Sequence, residues 1–306
     1  MSLLLDLLIA AGLGGCLARA SLCAVAATQE AVVQGRYLAL QMQLLAMASA
    51  GVVLLALCLR RGAVGLPGTS VSLLHVAVAA GVMAIGALIN GGCYLGSILY
   101  LGRGKSNFLF SLLGIALAAR ADLASVAGLG AQAVPRPLPG EALVLSFIVA
   151  FGIVAVFALW SARAGRAAGS DSRIVFTLLA GLFAGVLMHR LPGWGYNSAL
   201  SSLGRVGLSP ANAGSIAAAC ALFAGAVASC IAAGQWRPEL PDVHGALRCL
   251  AGGVLLESAA RAIPGGNDGL LFWVMPGLGA YGFVAYGVIL SLLLLVWSAA
   301  TRRAGV

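Results

Sequence analysis

Apolar runs dominate this chain, and their lengths decide its class more than their periodicity does. Residues 37–59, 142–162, 206–236 and 269–301 carry no charge. Each reaches the roughly 20 residues with which a helix crosses a hydrocarbon core of about 30 Å. Residues 62–102 are uncharged apart from His75, a length that holds one crossing plus a segment that turns back. About eight to ten crossings are expected in all. The N-terminal run has no basic residue over positions 2–6 and continues to about Thr28, which predicts a retained helix rather than a cleaved signal.

Composition sharpens this picture. With 61% hydrophobic and 9% charged residues and a mean hydropathy of +1.03, too little polar surface remains to coat a water-soluble globule. The fold class expected is an all-α integral membrane protein, a polytopic bundle lying in the lipid bilayer. The net charge of +9 does not point to nucleic acid, because the arginines gather at span ends: Arg60 and Arg61; Arg163, Arg166 and Arg173; Arg302 and Arg303. Basic span ends mark cytoplasmic loops over anionic lipid. That rule puts all three clusters on one side, and it then demands either that residues 107–119 form a half-membrane helix or that one cluster breaks the rule.

Seven cysteines, Cys16, Cys23, Cys58, Cys93, Cys220, Cys230 and Cys249, sit in apolar segments without a CxxC pair or a histidine at zinc-ligand spacing, so neither a metal nor a cofactor is expected. The absence of a GxxxxGK[ST] motif excludes ATP-driven transport by this chain alone.

The chain also resembles itself. At a shift of 169, Ala11-Gly12-Leu13 falls on Ala180-Gly181-Leu182, Leu22 on Leu191 and Gly35-Arg36 on Gly204-Arg205. At a shift of 174, Ile89-Asn90-Gly91-Gly92-Cys93 falls on Ile263-Pro264-Gly265-Gly266-Asn267. Two pseudo-symmetric halves are therefore expected, residues 1–160 and 174–306, joined by a basic linker loop at 161–173. An odd number of crossings in each half would make the repeats inverted, with a pathway where they meet.

Helices break at Asn90-Gly91-Gly92-Cys93 and at Pro264-Gly265-Gly266-Asn267-Asp268. Irregular backbone at membrane depth survives only when buried in protein or lining a cavity, so matched breaks in two halves point to a transport site. Half-helices starting there aim their N–H groups at the hollow, which suits an anion. An earlier pair of breaks falls at Arg19 to Cys23 and at His189 to Asn197, a stretch that includes Tyr196. Four interruptions in two symmetric pairs predict short, broken helices that meet at the middle.

Cys93, at a Gly-Gly break, is the leading candidate for the path, followed by Cys23. Arg19, His189, Tyr196 and Lys105 are secondary candidates; Arg103 and Lys105 either draw an anion to one mouth or mark a cytoplasmic edge. Glu257 and Arg261 are spaced for an ion pair along one helix.

Asn90-Gly91-Gly92-Cys93-Tyr94-Leu95-Gly96, followed by Gly102-Arg103-Gly104, resembles the Gly-Gly-Cys-x-x-Gly signature and trailing Gly-x-Gly of the YeeE/YedE family of bacterial inner-membrane proteins, and the stretch from Arg19 to Cys23 is similar to that family's first Cys motif. The resemblance implies a multi-pass bacterial inner-membrane transporter or channel, not an enzyme, that passes thiosulfate or a related small sulfur anion along cysteine thiols, here Cys23 and Cys93. Where thiosulfate-type members carry a third cysteine, the matching break reads Gly265-Gly266-Asn267-Asp268. Asn267 supplies a donor there and Asp268 a helix cap, while an ionised Asp268 would repel an anion. The competing reading is a membrane-embedded sulfur relay, in which Cys93 hands sulfane sulfur to a cytoplasmic acceptor protein.

Overall fold

A computed structural model describes residues 2–61, 66–123, 133–136, 140–163, 168–263 and 265–304. Its helices are α1 (Ser2–Ala20), α2 (Ala24–Gln34), α3 (Leu38–Arg61), α4 (Leu73–Asn90), α5 (Tyr94–Gly102), α6 (Phe108–Arg120), α7 (Gly140–Arg163), α8 (Ala168–Arg190), α9 (Tyr196–Val206), α10 (Pro210–Ala232), α11 (Val243–Ala262), α12 (Asn267–Gly269) and α13 (Ala280–Ala304). A π-helical turn, Leu270–Val274, continues α12. The chain is an all-α polytopic membrane protein; among the described residues its extended features are an antiparallel ribbon of β1 (Leu66–Thr69) with β2 (Ala133–Arg136) and a parallel bridge between Lys105 and Glu239.

Among the described residues, six segments are long and apolar enough to cross a membrane: Leu3–Gln34, Leu38–Leu57, Leu73–Gly102, Ser172–Arg190, Pro210–Ala232 and Ala280–Arg303. The first and third each join a long helix to the short one beyond its break. The uncharged run at 269–301 is not a single helix, since α13 begins only at Ala280, after the π turn and a further turn with Leu278 at φ 53°. The stretch read as a linker, 161–173, is mostly helix end: α7 reaches Arg163 and α8 starts at Ala168. Arg166 lies outside the described residues.

Small residues set the helix spacing, as they do where lipid offers no hydrophobic drive for association. A Cβ on Gly225 of α10 would stand 1.9 Å from the Ala11 carbonyl oxygen of α1, and one on Gly14 of α1 would stand 1.8 Å from that of Leu222. Gly225→Ala therefore has to push two backbones apart. We expect it to lower the thermal midpoint in detergent, by the 1–3 kcal/mol or more that overpacking typically costs, to an order of magnitude of about 2 kcal/mol.

Contacts along the helices also fix their directions. Thr177 meets Met42, Gly181 faces Ala46 and Gly185 faces Ala50, so α3 and α8 are parallel. Arg190 pairs with Asp6, while the Arg173 Nε donates to the Ala20 carbonyl at 3.0 Å, so α1 and α8 are antiparallel. Consequently Arg60 and Arg61, at the end of α3, lie at the opposite end of the bundle from Arg173, at the start of α8. This corrects the expectation that the 60–61 and 163–173 clusters share a side. The segment after Asn107 is the 13-residue helix α6, which follows α11 from the Asn107–Asp242 hydrogen bond at one end to the Asp122–Arg261 ion pair, 2.9 Å, at the other. A 13-residue apolar helix with arginine only at its last position looks like half a crossing by length alone.

Candidate functional site

Each break is built the same way. A left-handed residue stops one helix, at Ser21 (φ 59°), Gly91 (φ 75°), Gly193 (φ 69°) and Gly265 (φ 98°). One or two residues later, an extended residue caps a short helix: Cys23 for α2, Cys93 for α5, Gly195 for α9 and Gly266 for α12. Glycine takes three of these left-handed positions because it has no Cβ penalty there. Pro264 lies outside the described residues.

The four breaks meet. The Cys93 and Cys23 sulfurs are 3.9 Å apart, and the Ala24 amide at the start of α2 donates to the Cys93 sulfur at 3.4 Å. Asn267 at the start of α12 stands beside the Cys93 thiol. The Tyr196 hydroxyl, at the start of α9, donates to the Tyr94 carbonyl at 3.0 Å, and the two rings pack edge to face at 5.8 Å. Around Gly266, the Tyr94 ring, the Asn197 amide and the Asp268 carboxylate all approach so closely that a Cβ there would lie within 2.9 Å of each. Asn90 ends α4 and ties the second break, donating to the Gly92 carbonyl at 2.7 Å and to Ser97 Oγ at 3.3 Å. Gly96 lets α5 pass Cys23, since its Cβ would be 2.6 Å from that sulfur.

This waist is buried protein with polar atoms left over. Cys23, Cys93, Tyr94, Tyr196, Asn267 and Asp268 are all buried. Among the described residues, the Tyr94 hydroxyl, both polar atoms of the Asn267 side chain, Asp268 Oδ1 and Asn90 Oδ1 find no hydrogen-bond partner. Leaving such a group unmatched costs about 1–3 kcal/mol, so their clustering at one place marks a spot suited to a polar guest or to water.

A cavity opens on either side. One, of about 150 Å³, is lined by Gly195, Asn197, Ser201, Glu257, Arg261 and Gly266, among others. The other, of about 280 Å³, includes Asn90, Gly91, Tyr100, Lys105, Glu239 and Arg248. Arg248 and Glu257 sit on the same helix, α11, about 14 Å apart at 1.5 Å per residue, so the two hollows lie at different depths with the waist between them. Glu257 is buried and accepts a 2.6 Å hydrogen bond from Ser201 Oγ. The spacing rule pairs Glu257 with Arg261, but the ion pair of Arg261 is with Asp122, on α6.

At the larger cavity, Asp242 caps α11. Its carboxylate accepts from the Gly245 amide and from the Asn107 side chain, and these two contacts, the first above all, hold its proton affinity below that of an ordinary aspartate. A lowered value means the contribution is present at neutral pH and lost as pH falls through that lowered value. Asp242→Ala should therefore lower the thermal midpoint at neutral pH, and the gap to the parent protein should narrow in acid.

The remaining candidates scatter. Lys105 is exposed at the rim of the larger cavity, with its Nζ 5.8 Å from the centre of the Tyr100 ring. Arg19 lies over the Phe176 ring, 4.8 Å from its centre, and its neighbour Ala20 receives Arg173. His189 ends α8, away from the thiols on the side of Arg190. Cys220 is exposed, whereas Cys16, Cys230 and Cys249 are buried among helices; the Cys58 side chain is outside the described residues. Tyr94 and Glu257 were not foreseen as neighbours of the site, although Tyr94 follows Cys93 directly and a carboxylate in an apolar helix is itself a signal.

Residues 19–139 match the family model described as Sulphur transport. No curated protein matches the chain. Both thiol-bearing breaks fall inside the matched residues, and this stretch of the chain, 19–139, is similar to the sulphur transport family, the one its YeeE/YedE motifs resemble.

Proposed function

We propose that this chain carries a small sulfur anion, thiosulfate or a close relative, through the waist formed by its four helix breaks. One observation carries the reading: the starts of four short helices converge on Cys93 and Cys23, amid buried polar atoms that lack partners. Helix starts present free N–H groups and partial positive charge, so an anion is held without a lysine or arginine that would trap it. A neutral thiol is a weak, polarizable donor, suited to a sulfur atom in transit.

The two halves, 1–160 and 174–306, are inverted copies in this reading. The antiparallel run of α1 against α8, and that of α4 against α11, in which Asn90 lies by Gly252 and Gly86 by Leu255, support it. The end of the bundle bearing Arg173 and Arg248 faces the cytoplasm of a bacterial inner membrane by the positive-inside rule, so the larger cavity is the inner mouth and the smaller one the outer. The sulfur-relay alternative is disfavoured by depth: both thiols are buried, beyond the reach of a cytoplasmic acceptor protein.

The test is flux. Purified protein in liposomes is given thiosulfate, sulfite, sulfide and sulfate side by side. Uptake of thiosulfate above protein-free vesicles is expected; no uptake of any of the four removes the proposal.

A further inference from the structure

Among the described residues, Asp268 is the one carboxylate built into the waist itself. It is buried, its Oδ1 has no hydrogen-bond partner, and among the described residues no arginine or lysine is paired with it. Its other contacts are the amides of its own residue and of Gly269. Oδ2 lies so near Gly195 that a Cβ on that glycine would be 2.8 Å away, and Gly195, Gly266 and Gly269 all line the outer cavity. The preceding residue, Asn267, stands beside Cys93. Asp268 thus separates the outer cavity from the thiols, at a point any solute passing between them must approach.

A negative carboxylate buried there would oppose an anion at short range in a low-dielectric surround, and an unpaired charge at such a site is costly even when nothing is bound. A protonated carboxyl has the opposite effect: it is neutral, and its O–H becomes one more donor facing the path. The titratable or charged groups that face it are Tyr94 from α5, Tyr196 from α9 and Glu257 from α11, with Arg261 and Arg205 beyond Glu257. The nearest cation on α11, Arg261, is already paired with Asp122.

We infer that the sulfur anion passes the waist only while Asp268 carries a proton, which makes Asp268 a specificity-determining residue that links conduction to pH. The proton enters from the outer cavity, rests on the carboxylate while the anion goes by, and is released to the same cavity afterwards. This rests on the transport reading above.

Thiosulfate serves as the probe, because it stays fully ionised across the range tested and so contributes no pH dependence of its own. Its uptake into liposomes, with equal pH on both sides, is measured from about pH 8 down to about pH 5. For the parent protein uptake should rise on acidification, by up to about tenfold per unit, the limit set by one required proton. Asp268→Asn keeps the size and a permanent donor, and its uptake should be independent of pH. Asp268→Glu, which keeps a titratable group in a shifted position, should move the midpoint of the profile, and Glu257→Gln should leave the slope in place. A flat profile for the parent, an unchanged slope in Asp268→Asn, an unmoved midpoint in Asp268→Glu or a flattened profile in Glu257→Gln would each overturn the inference while leaving conduction intact. No thiosulfate uptake by the parent at any pH would refute the transport reading itself.

Discussion

Cys93→Ala should cut thiosulfate uptake by about tenfold to a hundredfold at unchanged amounts of protein in the membrane. The figure follows from the loss of one buried hydrogen bond to a charged guest, about 1.5–3 kcal/mol, at 1.4 kcal/mol per factor of ten. Cys93 holds a position that no other thiol can fill. It caps α5, receives the Ala24 amide, lies 3.9 Å from the Cys23 sulfur and has Asn267 beside it. Alanine leaves the backbone break in place, because an extended residue at that position needs no special side chain, so the fold should survive. Cys93→Ser separates donor from softness: the hydroxyl can donate, yet it is smaller and less polarizable, and its uptake should fall between the other two. Uptake of Cys93→Ala equal to the parent's would remove the thiols from the mechanism.

An effect at least as large is expected from a single methyl group. Gly266 has φ −66° and ψ −178°, a conformation open to any residue, so alanine there carries no backbone strain. Space alone forbids it: the added Cβ would lie 2.7 Å from Asp268 Oδ1, 2.8 Å from the Tyr94 ring and 2.9 Å from the Asn197 amide. All three belong to the waist. Gly266→Ala should close it and lower uptake more than about tenfold, since overpacking of about 1–3 kcal/mol falls on the groups that must yield to the guest. Gly91→Ala is the control with the causes reversed. Its φ of 75° penalises alanine by roughly 1 kcal/mol, but the nearest atom to the new Cβ would be an Arg248 nitrogen 3.9 Å away. Stability should drop in that variant with uptake largely kept. Flux assays on both, normalised to folded protein, check the contrast; a greater loss of uptake in Gly91→Ala would show that backbone strain, not room at the waist, governs conduction.

The breaks were legible in the sequence because lipid makes them so: paired glycines inside an apolar run are costly, and at Gly91 and Gly265 the chain does take the left-handed turn that glycine permits. Cys93 and Cys23 were legible for the same reason, each standing just past an interruption. The directions of the helices were not. Arg60 and Arg61 carry the same charge as Arg173, and a rule that counts basic residues has no means of distinguishing them; the parallel packing of α3 on α8, through Gly181 and Gly185, separates them. Spacing suggested that Arg261 would turn to Glu257 four residues back, yet tertiary packing offered it Asp122 on α6 and gave Glu257 the Ser201 hydroxyl instead. The sequence put Asp268 at a break on the path but could not say what surrounds its carboxylate; the approach of Gly195 and Gly266 on one side and of Tyr94 on the other supplies that.

The central claim is that Cys93 lies on the route of the solute. It is tested most directly by alkylating the protein in liposomes with a small maleimide and following the Cys93 peptide by mass spectrometry, with and without excess thiosulfate. Thiosulfate should slow modification of Cys93 several-fold and leave that of Cys220, on the outer surface of α10, unchanged. Equal rates at Cys93 with and without thiosulfate, in vesicles that are taking thiosulfate up, would contradict the account.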